Sequence, residues 1–519
     1  MTTTSPLFSC NRDVVKSSLC EILSSRLDLL FDAAEANSGS RVLELRVWDV
    51  LLVVGRAVLG VLFAMQARRA TEKDLEARRI NPSQVRMRME KERWYSVTTT
   101  FGLVCFPLFA YREQIGRRTV TRTPAVEQFK LHRSCRSSEL CLEWETRLGC
   151  EHPFRTAQRE LEFFTHGAVT LEDTTIAKHT AVVGSMVGWT WTYRTVRDIR
   201  EILRTRATRD ENTGRPIVYA SSDAHALRRF VDPSCTAQWK MANGFRLWCS
   251  DRFTGDIVHL GGEYTWGDCV EVEAIARRLI DSGHLPVDGD YGEGVVAELA
   301  WITDGAPWIE DRILKLFPNS RTILDAFHAL EYTGKLAALI WGKGHPKTNR
   351  FNDLAYEAMF GAPRLRKEKS KTRRGHRKRP RAETTAQRRR KEMRRERKKT
   401  TKAQFLIDLL EKLDVTESCK VLLESTLRYI TNNAHRMDYA LYIQEGYQIG
   451  SGAMESLHRV ASQIRLKRSG SGWLPETAQA IFNLRMMTLV ERTDEFWSQP
   501  DLADQLVIAF QEEPLQIAA

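Results

Sequence analysis

Two aspartates and a glutamate occupy positions suited to metal-assisted chemistry at phosphorus. The apolar segment PIVYASSD ends on Asp223, and ELAWITDG carries Asp304 near its end. Each segment reads as a strand delivering a carboxylate to the carboxyl edge of a sheet, where open α/β sheets form their sites. Gly305 permits a tight turn after Asp304, and Pro307 suits the first turn of a following helix. An aspartate at such a junction also serves as an ordinary turn or helix cap. The third acid, Glu455, lies in GSGAMESLHR, a loop opening into a helix, where a first-turn glutamate equally suits the helix dipole. His458 and Arg459 follow one turn later and are expected to share its face, with Arg465, Lys467 and Arg468 beyond as candidate phosphate contacts. A salt-bridged surface helix is the plainer alternative.

Three carboxylates suit Mg2+, a hard ion that takes oxygen ligands and keeps several waters. Mn2+ can replace it in an oxygen-rich site. Two such ions about 3.5–4 Å apart activate an attacking oxygen and stabilise a leaving one during in-line displacement. That chemistry needs no covalent nucleophile from the protein: water attacks in strand cleavage, and a 3′-hydroxyl in strand transfer. Two further acids compete for places. Asp251 ends a neighbouring predicted strand and is an alternative first ligand. Asp325, with His328 one turn later, reads as a supporting or DNA-facing group that could substitute for a member.

The elements that must position these acids follow from apolar periodicity. Residues 1–95 read as a helical N-terminal region. Residues 96–214 begin with short strands between Tyr95 and Tyr111 and continue as helices. Within these helices, AQRELEFFTHGAVTLEDTTIAKHTAVVG resembles a helix-turn-helix, with Thr170 and Asp173 as a capping box and the second helix free to enter a major groove. Residues 215–342 give three strands, a helix, a strand, a helix, a strand and a helix, the order of an RNase-H-like α/β core. The second and third of these strands, FRLWCSD and DIVHLGGEY, flank a Phe-Thr-Gly turn and read as a hairpin. Residues 343–445 form a basic, largely helical insertion, and residues 446–519 the helix of Glu455 and C-terminal helices.

The 519 residues carry a net charge of +12, unevenly distributed. Between Arg364 and Lys402 there are 21 Lys or Arg against 4 Glu, so the rest of the chain is at −5. One intensely basic segment on a mildly acidic body fits a DNA partner gripped through phosphates, with Arg377, Lys378 and Arg379 at its centre. A solvated tail or a nuclear-localisation-like run is the competing reading. The ten cysteines include no CxxC pair, which leaves a zinc ribbon or redox motif unsupported. The N-terminus lacks a signal peptide's pattern, so a reducing, cytoplasmic location is expected. Val47 to Met65 is apolar but interrupted by Asp49 and Arg56, and reads as a buried helix rather than a membrane span.

ITDGAPWI, ILDAFHALEY and YQIGSGAMES, followed by QIRLKRSGSGW and AQAIFNLR, resemble the C-terminal motifs of bacterial insertion-sequence transposases of the ISKra group. CRSSELCLEWETRLGCEHPFRTAQRELEFFTHGAVTLEDTTI resembles the N-terminal half of that group. The resemblance runs from about Thr98 to Arg485. It implies a DDE enzyme with Asp223, Asp304 and Glu455 as its acids, acting as an oligomer on double-stranded DNA in a bacterial, nucleoid-associated setting. The alternatives are an RNase-H-like nuclease without strand transfer and a non-catalytic, domesticated DNA-binding derivative.

Overall fold

The computed structural model describes residues 6–9, 11–80, 88–115, 117–129, 135–230, 236–266, 269–287, 296–306, 312, 315–361 and 403–511. Arg377, Lys378, Arg379 and the rest of the basic run lie outside these residues, as does Pro307.

The N-terminal unit is a long helical hairpin laid on a small sheet. Helix α1 (Arg12–Glu35) starts where the Asn11 side chain accepts the Asp13 amide, and α2 (Ser40–Ala77) returns beside it. The sheet has the order β1 (Arg88–Thr99), β2 (Gly102–Ile115), β3 (Arg118–Arg122), antiparallel throughout. Ala64 and Ala67 of α2 pack against Val104, Phe106 and Phe109 of β2. Small residues on the helix let it approach the pleated surface closely. By length and composition α2 is long and apolar enough to cross a membrane, and 33% of its most apolar stretch is buried in the fold. The helical reading of the first 95 residues is corrected at its end, because Arg88 to Thr99 pair with β2 as a strand.

The next helices are α3 (Glu139–Glu151), α4 (Phe154–Phe164), α5 (Asp173–Met186) and α6 (Val196–Thr205). The predicted helix-turn-helix corresponds to α4 and α5, but its geometry differs from expectation. Glu172, not Thr170, is the N-cap of α5, and no side chain caps it. Ile176, Ala177 and the run His179 to Gly184 are buried, so most of α5 packs in the core, with Thr174 and Ser185 exposed. Its burial is set by close packing on a C-terminal helix. A Cβ on Gly184 would stand 2.5 Å from the Ala480 carbonyl oxygen. Backbone cannot yield there, so Gly184→Val is expected to lower stability by about 1–3 kcal/mol, read from the thermal unfolding midpoint.

The second sheet comprises β4 (Ile217–Arg229), β5 (Gln238–Ser250), β6 (Ile257–Thr265), β7 (Glu298–Thr303) and β8 (Arg321–Leu324), with α7 (Cys269–Asp281) between β6 and β7. The spatial order is β6-β5-β4-β7-β8, with β4 pairing antiparallel to β5 and parallel to β7. The predicted hairpin is present, β5 and β6 meeting at Ser250 opposite Ile257. Alternation divides the core between the two faces. Ile217, Tyr219, Ala300 and Ile302 join one cluster with the helices that follow β8, and Val218, Ala220, Leu299 and Trp301 join the other with α6 and α7. Those following helices are α8 (Ala326–Trp341), α9 (Pro346–Phe360), α10 (Ala403–Glu411), α11 (Glu417–Asn433) and α12 (Tyr439–Gln444). Helix α13 (Gly452–Leu457) continues through a π-helical stretch, His458–Gln463, before α14 (Pro475–Leu489) and α15 (Leu502–Gln511) complete a mixed α/β molecule.

Candidate active site

Asp223 lies on β4 and Asp304 directly follows the end of β7, the parallel strand beside it. The last registered pair between β4 and β7 is Ala220 opposite Trp301, and each aspartate lies three residues beyond it. Asp223 has the parity of Ile217 and Tyr219, so it falls on the sheet face covered by α8, while Asp304 is the first residue past the end of β7, in the turn that follows. The sequence reading ended the first strand at Asp223. The strand instead runs to Arg229, because β5 keeps pairing with it after β7 has stopped. Asp223 therefore sits where a central strand becomes half of a two-stranded ribbon.

Helix α13 is seated directly over this point. Asp223, Gly244 and Tyr264 lie side by side across β4, β5 and β6. A Cβ on Gly244 would meet Met454 Cε at 2.6 Å, Tyr264 Cε1 at 3.0 Å and His458 Cε1 at 3.1 Å. The bare glycine is what lets the helix approach the sheet. His458 fills the space above it, with its Nδ1 2.9 Å from the Tyr264 hydroxyl and its Nε2 3.3 Å from Asp223 Oδ2. Asp223 Oδ1 accepts the Ala224 amide at 2.7 Å. Partial burial pushes the Asp223 carboxyl pKa up, but His458, the Ala224 amide and the charge of His328 outweigh it and hold the group below the usual carboxylate range. Beside it His225 contacts Ser462 Oγ at 2.6 Å, and burial together with His458 and Lys467 pushes its pKa down to about 3.

Asp304 is exposed and opens a turn in which its Oδ1 accepts the Ala306 amide at 3.2 Å. Gly305 adopts φ +101°, as the tight turn requires, and Tyr429 of α11 donates to the Asp304 carbonyl at 2.6 Å. Two buried contacts then fix the start of α13. Arg246 of β5 donates to the Ala453 carbonyl. Asp325 caps α8 by accepting the Phe327 and His328 amides at 2.7 and 3.1 Å, and its other oxygen accepts the Ser451 amide at 2.8 Å and the Ser451 hydroxyl. Glu455 is exposed on the helix so fixed.

Several expectations change at this level. Asp251 sits at the opposite end of the sheet, since β5 runs antiparallel to β4; it is buried in a turn with Arg206 and the Phe253 amide, which removes it as a rival to Asp223. Asp325 is buried and occupied by four donors, so it supports the site and does not face DNA. His458 points inward while Glu455 and Arg459 are exposed, so His458 does not share the glutamate's face. Arg465 is 1% exposed, donates twice to the Gly149 carbonyl and packs against both the Phe154 and Trp473 rings, which excludes it as a phosphate contact. Lys467 and Arg468 are exposed.

The all-carboxylate donor set has the chemistry Mg2+ prefers. Among the described residues, however, no group of three His, Cys, Asp or Glu side chains closes on one point to hold a metal ion. Asp223 is turned toward His458, and Asp304 toward its own turn. The sequence singled out His458 only as a neighbour of Glu455 on its helix, and Tyr264, Gly244 and Arg246 were not singled out for this site, since no local signal brings β5 and β6 beneath that helix.

No family model matches the chain, and no curated protein matches its sequence. Among solved structures, it is similar to the Drosophila P element transposase strand transfer complex at 10% identity, over 70% of this chain and 81% of that one, with a TM-score of 0.24. A likeness that slight carries no argument about this chain.

Proposed function

We propose that this chain is a DNA transposase of the DDE type, with an RNase-H-like core and Asp223, Asp304 and Glu455 as its acids. The observation that supports this most is the placement of Asp223 and Asp304 three residues beyond the last registered pair of two adjacent parallel strands, with the Glu455 helix seated above the first of them. The strand order β6-β5-β4-β7-β8 is the one expected of such a core. The ISKra-group motifs add to this from the sequence alone. In this reading the three carboxylates would hold Mg2+, or Mn2+ in its place, and the ion would supply charge stabilisation to the attacking and leaving oxygens. The chain's own part is positioning. His458 and the Ala224 amide orient Asp223, the Gly305 turn presents Asp304, and Asp325 with Arg246 fixes the base of the Glu455 helix. The partners are double-stranded DNA at the element's ends and at the target, with a second copy of the chain, in the bacterial cytoplasm near the nucleoid rather than in a membrane.

A nuclease would use the same acids, so joining of a 3′-hydroxyl end to target DNA is the deciding assay. Joined product supports transposition, and cleavage without joining favours the nuclease. DNA binding has its own test. Arg459→Gln is expected to reduce the slope of log affinity against log salt by about 0.9. Arg465→Leu should leave that slope unchanged and lower the unfolding temperature.

A further inference from the structure

Beyond Asp223 the sheet narrows to a ribbon of two strands. β7 has ended its pairing at Ala220 opposite Trp301, and β6 ends opposite Asn243. Only β4 and β5 continue, with Ala226 opposite Met241 and Arg228 opposite Trp239. One face of the ribbon is packed, Leu227 and Ala242 joining a cluster with Leu457, Leu466 and Phe482. The other face leaves Trp239 60% exposed and Met241 52% exposed. A tryptophan left largely in water has a wide apolar surface with nothing bound to it.

The surroundings of that ring are basic. The Lys467 ammonium stands 5.9 Å from its centroid. The loop carrying Lys467 and Arg468 is fixed alongside β4, because the Trp473 amide donates to Arg228 and the Phe230 amide to Trp473. On the strand face of Trp239 alternation places Arg228, while Arg229 and Lys240 share the packed face with Leu227 and Ala242; residues 467–473 add Lys467 and Arg468 and no acid. The three cations on this side, Arg228, Lys467 and Arg468, would repel a second copy of the same surface, whereas they match a phosphate backbone.

We propose that this ribbon face is a DNA contact, in which Trp239 stacks on an unpaired or splayed base while Arg228, Lys467 and Arg468 hold the adjoining phosphates. An aromatic ring among cations is the usual arrangement for gripping unpaired nucleotides. Arg228 lies five residues along β4 from Asp223, about 17 Å at strand rise, which is about five base-pair steps from the acids. The contact therefore falls on DNA flanking the reacting phosphate. It rests on the transposase reading for its partner and adds to it a site and a preference for unpaired bases.

The test uses the full chain and two fluorescein-labelled duplexes, one bearing an unpaired tail and one fully paired, with affinity measured by anisotropy at fixed salt. Trp239→Ala should weaken binding of the tailed duplex about tenfold and leave the paired duplex almost unaffected. Trp239→Phe should recover most of the loss, which separates stacking from a folding defect. Lys467→Gln should reduce the salt slope for the tailed probe by about 0.7. Unchanged binding of the tailed duplex by a folded Trp239→Ala chain overturns the proposal. So does a change in sedimentation in place of DNA affinity, which would make the face a protein contact. Binding of neither duplex by the wild-type chain overturns the transposase reading itself.

Discussion

Asp304→Asn is expected to leave binding of DNA ends intact and to slow metal-dependent strand cleavage by about a thousandfold or more, about 4 kcal/mol of transition-state stabilisation. The asymmetry follows from what the side chain touches. Asp304 is exposed, and among the described residues its carboxylate accepts the Ala306 amide, which the amide oxygen of asparagine can also accept. The turn and its contact from Tyr429 use the backbone and remain. What is lost is negative charge and an anionic oxygen, the two properties a hard cation needs. Single-turnover cleavage of a labelled end, with binding measured in parallel, reads both quantities. Wild-type cleavage by Asp304→Asn would remove it from the acidic set, and the same outcome for Glu455→Gln would place the third acid elsewhere.

Asp325→Ala is expected to act by another route, costing about 3 kcal/mol of folding stability. Loss of a helix cap contributes about 1 kcal/mol, and a buried amide left without its charged acceptor contributes about 1–3 kcal/mol more. The residue is 2% exposed and joins the end of β8, the start of α8 and the loop entering α13. The measurement is the denaturant midpoint at constant slope, followed by cleavage under conditions where the variant is folded. Asp325→Asn keeps one oxygen for the Phe327 and His328 amides but turns a donor toward Ser451, so its stability should fall between. Its folded fraction should still cleave. A thousandfold cleavage defect in folded Asp325→Asn would instead make Asp325 a ligand, and the contrast with Asp304→Asn decides between them.

The strands of the second sheet were legible in the sequence because each is a short apolar run closed by turn residues, with burial on both faces suppressing polar interruptions. Asp304 was legible for the same reason, since its strand stops where its turn begins. Asp223 was harder to interpret. Its strand continues as a ribbon, and nothing local announces that β7 departs while β5 stays. The burial of most of α5 was not legible, because α4 and α5 have helix-turn-helix spacing while the contact of Gly184 with Ala480 joins segments almost three hundred residues apart. Arg465 was misjudged for a related reason. A cation in a basic run looks solvent-facing until Phe154 and Trp473 are found packed against it.

By itself the sequence determined the kinds of chemistry available to the three acids, the α/β character of the region that carries two of them, and the segregation of positive charge into one stretch. These depend on residue type and short-range periodicity, which are local. Tertiary structure decided that Asp223 and Asp304 come at the same end of adjacent parallel strands, that Asp251 belongs to the other end, and that Asp325 is a brace. It also decided that His458 reaches inward past a glycine to the first acid. Each of those outcomes depends on strand register and on how closely a helix can approach a sheet, and neither is encoded in the neighbourhood of the residue concerned.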